Sequence, residues 1–88
     1  MRLEWTEPVL ADLETINDYI AQDSPTNANR FVDRLFTAAD SLTDSLRIGR
    51  PVPEADDASE EFRELIFGDY RIIYRVVSGR VQVLAVIT

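Results

Sequence analysis

The sequence predicts a single α+β domain of order β-α-α-β-β-β, a helical hairpin packed on one face of a small antiparallel sheet. Three observations predict it. Apolar residues recur at helical spacing in two stretches of the first half, and the period changes to two in the last third. Ser78-Gly79 separates two alternating runs there, as a tight hairpin turn does. A chain of 88 residues holds one domain, here 1–88, and not two. Its core must be thin, so a partner could supply part of its stability.

Residues 2–5 alternate, with Leu3 and Trp5 on one side, as in a half-buried strand. Thr6 is placed to cap a helix, with Glu7 favourable to the dipole and Pro8 tolerated in the first turn. Val9, Leu13, Ile16 and Ile20 then form one stripe, with Asp12, Glu14 and Asp18 turned away from it. Asp23-Ser24-Pro25 breaks this pattern and starts a second helix, with Ser24 as cap and Pro25 in the first helical position. Its stripe is Ala28, Phe31, Val32, Leu35, Ala38, Ala39, Leu42 and Leu46. So short a connection makes the helices an antiparallel hairpin.

Gly49-Arg50-Pro51-Val52-Pro53 cannot continue a helix, and residues 54–61 are acidic and poor in apolar groups, so 47–61 reads as a surface loop. Strands follow at 62–66, 70–77 and 80–88 as an antiparallel meander. With a two-residue turn at Ser78-Gly79, positions summing to 157 lie opposite one another. One face then holds Ile72–Ala85, Tyr74–Val83 and Val76–Val81, uncharged and suited to receive the helices. The other holds Arg71–Val86, Ile73–Leu84 and Arg75–Gln82. A one-residue slip would exchange the faces and bury two arginines, which is costly.

Composition narrows the chemistry. The chain has no histidine and its sixteen acids against nine bases give −7. All the bases are arginine. Overall charge disfavours non-specific polyanion binding. Residues 1–46 hold three arginines and nine acids, whereas 62–88 hold four arginines and two acids, so an anionic contact is expected at the C-terminal end. The lack of cysteine removes disulfides, thiol catalysis and thiolate metal sites. No phosphate loop, serine-nucleophile motif, metal-ligand cluster or cofactor crevice is present, and no cofactor or metal is expected. Without a membrane span or signal pattern, the expectation is a cytoplasmic protein.

The second face has three readings. Arg71 and Arg75 could contact phosphates, pair with acids of a partner that adds to the sheet, or stand as solvated strand charges. Their neighbours Ile73, Leu84 and Val86 favour the partner, because an apolar floor with a charged rim is how an interface is built. Arg71, Ile73, Arg75, Gln82, Leu84 and Val86 are therefore the candidate partner-binding set. Glu54 follows a proline-stiffened segment and suits either a general base or a solvated loop acid.

Ser24-Pro25, the Gly49-Arg50-Pro51-Val52-Pro53-Glu54 run, Arg63-Glu64-Leu65-Ile66, the Tyr70–Val76 strand and the closing Val81–Val86 strand together resemble the RelE/ParE toxin superfamily over nearly the whole chain. The resemblance implies the toxin of a two-gene, plasmid-stabilisation-like type II toxin–antitoxin module, neutralised by a small antitoxin that wraps it. RelE-like members cut messenger RNA in the ribosome; ParE-like members poison DNA gyrase without hydrolysing anything. Arg71 matches an arginine of the nuclease pattern and Glu54 a glutamate that some nucleases use. Against that reading, lysine and histidine are absent and no tyrosine follows Tyr74. Family members usually continue into a His-Gly-x-Arg-like tail; here the sequence stops at Thr88, an end that is natural, truncated or unmatched and that motivates a toxin reduced to antitoxin binding. The expected function is thus ParE-like gyrase inhibition without enzymatic activity. The alternatives are a ribosome-dependent endoribonuclease and a degenerate toxin that only binds its antitoxin. A homodimer is left open.

Overall fold

Local sequence signals and long-range pairing agree over most of the chain. The computed structural model describes residues 2–45, 48–52 and 61–88. Strand β1 (Arg2–Trp5) leads into helix α1 (Glu7–Ala21) and helix α2 (Pro25–Asp40), which ends in a 3₁₀ turn at Ser41–Thr43. Strands β2 (Arg50–Pro51), β3 (Glu61–Phe67), β4 (Tyr70–Val77) and β5 (Arg80–Ile87) follow. The Ser24 side chain caps α2 by accepting from the Asn27 N–H at 3.2 Å, with Pro25 in the first turn, as the sequence predicts.

The five strands lie in the order β1-β5-β4-β3-β2. The expected antiparallel meander forms the centre. The sheet is mixed because β1 pairs in parallel with β5, Leu3 opposite Val81 and Trp5 opposite Val83. The two-residue β2, inside the segment read as loop, adds an antiparallel edge with Arg50 opposite Glu64. Residues 53–60, the rest of that expected loop, and Leu46, expected on the α2 stripe, lie outside the described residues.

The helices cover one face of the sheet. Val9, Leu13, Ile16, Leu35, Ile72, Val83 and Val86 form the main core, with Leu42, Tyr74 and Val81 as a second cluster. Leu35 is fully buried. Trp5 meets Phe36 edge-on at 4.7 Å between ring centroids, and Phe31 contacts both Phe67 and Tyr70. These aromatic contacts join α2 to both sides of the sheet.

The turn at Ser78-Gly79 has φ of 49° and 75°, positive at both central residues as the right-handed strand twist favours. The expected register holds from Val77–Arg80 to Tyr74–Val83 and then shifts by one, with Ile73 opposite Ala85, Ile72 opposite Val86 and Arg71 opposite Ile87. Leu84 is the extra residue of a β-bulge. The predicted pairs Ile72–Ala85, Ile73–Leu84 and Arg71–Val86 are therefore displaced. Strict alternation would have buried a methyl group at Ala85 and turned Val86 outward; the bulge buries the larger side chain.

Two polar residues of the first helix region act on β5. Thr6 Oγ1 donates to the Val83 carbonyl at 2.8 Å and makes no side-chain cap to α1. Asp12, expected to face away from the core, accepts from the Val86 N–H at 3.1 Å. That N–H lies beyond the end of the short β1, so Asp12 satisfies a donor the sheet leaves unpaired.

Gly49 packs where β3 and β4 meet, its N–H donating to the buried Tyr74 hydroxyl at 2.9 Å. A Cβ there would approach the Glu64 carbonyl oxygen to 2.5 Å and the Tyr74 hydroxyl to 2.6 Å. Gly49→Ala should therefore destabilise the domain by about 1–3 kcal/mol through overpacking. Tyr74→Phe should cost about 1–3 kcal/mol by stranding a buried N–H. Urea denaturation measures both, and a midpoint unchanged in either variant would contradict this packing.

Candidate partner-binding face

Strand pairing determines which side chains share the face opposite the helices. Residues directly opposite in adjacent strands point the same way, so the row Glu4, Gln82, Arg75 and Phe62, the next row Ile73, Glu64 and Arg50, and beyond it Arg71 with Ile66 lie on this reverse side. Ile73, Leu84 and Ala85 belong to neither core cluster nor its margin. Ile66 is 53% exposed. The floor is apolar and the cations are distributed over it.

The arginines do not stand alone. Glu64, with 0% of its side chain exposed, accepts from Arg50 Nε at 2.6 Å on one oxygen and from Arg71 Nη1 at 2.7 Å on the other. One carboxylate thus ties β2 to β4 through β3. Burial opposes ionisation of Glu64, but the hydrogen bonds and charges of Arg50 and Arg71 outweigh it and hold the carboxyl below its ordinary value of 4.5. A second chain crosses the other half of the sheet. Arg75 donates to the Gln82 carbonyl oxygen at 3.0 Å, and the Gln82 amide donates to Glu4 at 3.0 Å. Glu4 also lies 3.5 Å from Arg80 and 3.6 Å from Arg2. The Gln82 bond lowers the Glu4 pKa, desolvation opposes it, and Arg80 and Arg2 lower it further.

The structure therefore brings Arg71, Ile73, Arg75 and Gln82 onto one face, with Leu84 at its bulged margin. It does not bring Val86 there. Val86 is 3% exposed in the core beside Val9, Leu13 and Ile16, because the bulge reverses the alternation before reaching it. Glu54 lies outside the described residues. Arg63 points to the helix side, where Nε donates to Glu61 at 2.6 Å and Nη1 to the Gly49 carbonyl at 2.8 Å. The sequence reading missed Glu64. Counting back from a two-residue turn at Gly68-Asp69 would have placed it on the arginine face, where only a carboxylate answers two guanidinium groups.

The tyrosines of the chain lie away from this face. Tyr74 is buried on the helix side, Tyr70 packs on Phe31, and Tyr19 is on α1, 69% exposed. No tyrosine reaches the reverse face, and the chain has no histidine. Among the described residues no cluster of His, Cys, Asp or Glu could hold a metal ion, and no helix is long and apolar enough to cross a membrane.

The chain belongs to the ParE toxin family of type II toxin–antitoxin systems: the family model, described as the ParE toxin of the parDE system, matches residues 3–88. Toxin RelE2 of Caulobacter vibrioides is 42% identical over 83 residues, spanning 93% of this chain and 88% of that one. A putative toxin, Y4kP, of Sinorhizobium fredii is 38% identical, spanning 97% and 84%. The solved chromosomal ParDE system of P. aeruginosa contains a chain with the same fold, with a TM-score of 0.79 at 23% identity, covering 99% of this chain and 94% of that one.

Because the folded pKa of Glu64 is depressed, its ion pairs stabilise the fold fully above the ordinary carboxylate value and lose that effect as pH falls through the folded value. At pH 7, Glu64→Gln should cost about 1–3 kcal/mol. The gap from the parent should narrow steadily below pH 4.5. Arg71→Ala should destabilise the fold as well, whereas Arg2→Ala, at a side chain 78% exposed, should change stability by less than about 0.5 kcal/mol. Denaturation midpoints from pH 7 to pH 3 check all three variants.

Proposed function

We propose that this toxin acts in the ParE manner, inhibiting DNA gyrase by binding it, and that its antitoxin covers the reverse face. One observation carries this reading: the reverse face presents arginines held by Glu64 and Gln82, with no tyrosine or histidine to protonate a leaving group. Cleavage of RNA needs a positioned acid and base near the scissile phosphate. Arg71, the residue that matches the nuclease pattern, is instead bound to a buried carboxylate, which opposes close approach of a second anion. Recognition needs no such groups. An apolar floor of Ile73 and Leu84 rimmed by Arg75 and Gln82 suits a protein segment that meets it with apolar side chains and hydrogen-bond acceptors. The family model, that of the ParE toxin of parDE systems, supports the same reading.

The toxin freed of its antitoxin should inhibit supercoiling by purified gyrase at low molar excess and leave ribosome-bound messages intact. Codon-dependent cleavage with unaltered supercoiling would reverse the assignment to the ribonuclease alternative. Harmless expression without antitoxin would leave only antitoxin binding.

A further inference from the structure

We infer that a cleft on the helical side, separate from the reverse face, anchors an acidic peptide segment of the antitoxin through Arg30 and Arg34. This inference rests on the toxin–antitoxin reading above and adds to it a specific contact surface. The cleft, about 520 Å³, opens between the N-terminal half of α2, the end of α1 and the β3–β4 turn; Ile20, Phe31 and Phe67 form its floor and Asn27, Arg30 and Arg34 its wall.

Three features make it a recognition site. First, the floor is apolar and braced from beneath, since Phe31 packs on Phe67 and Tyr70 at centroid distances of 5.4 and 5.1 Å. Second, Arg30 and Arg34 are one helical turn apart on the same flank of α2, both exposed. Neighbours at this spacing lie about 5–6 Å apart at Cβ, and both side chains line the cleft. Third, neither takes part in an ion pair among the described residues. The contrast with the sheet is direct, because Arg50, Arg71 and Arg75 all have side-chain acceptors there.

Charge selects the occupant. In a chain of net charge −7, an acidic segment is repelled by most of the surface and attracted where unpaired arginines meet. A second copy would have to seat the groove along Leu10, Leu13 and Phe36, with Glu14 and Asp33, in this cleft, a head-to-tail contact that builds rings or filaments rather than a symmetric pair. The fitting ligand is a peptide with an aromatic or branched aliphatic anchor on Phe31 and Phe67 and carboxylates reaching Arg30 and Arg34.

Titration calorimetry of the purified cognate antitoxin against the toxin and its R30E/R34E variant tests this. Both arginines are exposed, so the variant should keep the parent's circular dichroism and melting temperature. The dissociation constant should rise about 10- to 100-fold, and the salt dependence of binding should flatten. Replacing the antitoxin acids that meet them by lysine should restore affinity to the folded variant. Unchanged affinity and salt slope in the variant would overturn the cleft assignment while leaving the toxin–antitoxin reading intact; no binding by the parent toxin would overturn both. A short DNA duplex that binds the parent and not the variant, with antitoxin binding alike to both, would make the cleft a nucleic-acid site and refute the proposal.

Discussion

A single buried carboxylate organises the sheet. Glu64 sits on the central part of β3 with no exposed side-chain surface and meets Arg50 from one side and Arg71 from the other. An isolated charge at such a position would be excluded by its desolvation cost; two arginines make it tolerable. The consequence reaches beyond the pair. Arg50 belongs to the two-residue β2, too short to hold itself on the sheet by backbone bonds alone, and the adjacent Gly49 is fixed by the Tyr74 hydroxyl. The loop entrance is thus pinned from both faces of the sheet at nearly the same residue.

The same carboxylate changes the meaning of the reverse face. Arginines spread over an open sheet would repel one another and attract any polyanion. Here they are interleaved with acceptors, Glu64 for one group and Gln82 with Glu4 for the other, so each guanidinium is oriented before a partner arrives. Pre-oriented groups lose less freedom on binding. Among the described residues, Arg30 and Arg34 take part in no ion pair, and both lie on the flank of α2 beside the aromatic floor of Phe31 and Phe67. The two proposed contact surfaces thus differ in kind, a face of fixed polar groups and a cleft that combines apolar area with exposed charge.

Much of this was legible from residue order. The Ser24-Pro25 start, the two helical stripes and the Ser78-Gly79 turn are local signals, and each produced the element expected of it. What escaped were effects of distant parts on one another. Strict alternation through β5 is the simplest extension of the hairpin, yet core volume near Val9 and Leu13 favours Val86 over Ala85, and the strand bulges at Leu84 to satisfy it. Thr6 has the chemistry of a cap, but a β5 carbonyl is nearer its hydroxyl. Glu64 reads as an ordinary strand acid until Arg50 and Arg71, 14 and 7 residues away in the chain, are known to flank it. Glu54 and Leu46 fall outside the described residues, so neither expectation meets a structural counterpart.

The parallel pairing of β1 with β5 has a temporal implication. Residues 2–5 find their neighbours at 80–83, so among the described strands β1 waits for β5, the last of them in chain order, before it can pair. Bringing such remote segments together carries the entropy of closing nearly the whole chain. The helical hairpin, built from nearby contacts, can form much earlier and wait with its apolar stripe uncovered. The topology thus sets a helical hairpin and two β-hairpins built from nearby contacts apart from the one edge, β1 on β5, that closes only when residues 80–83 are present.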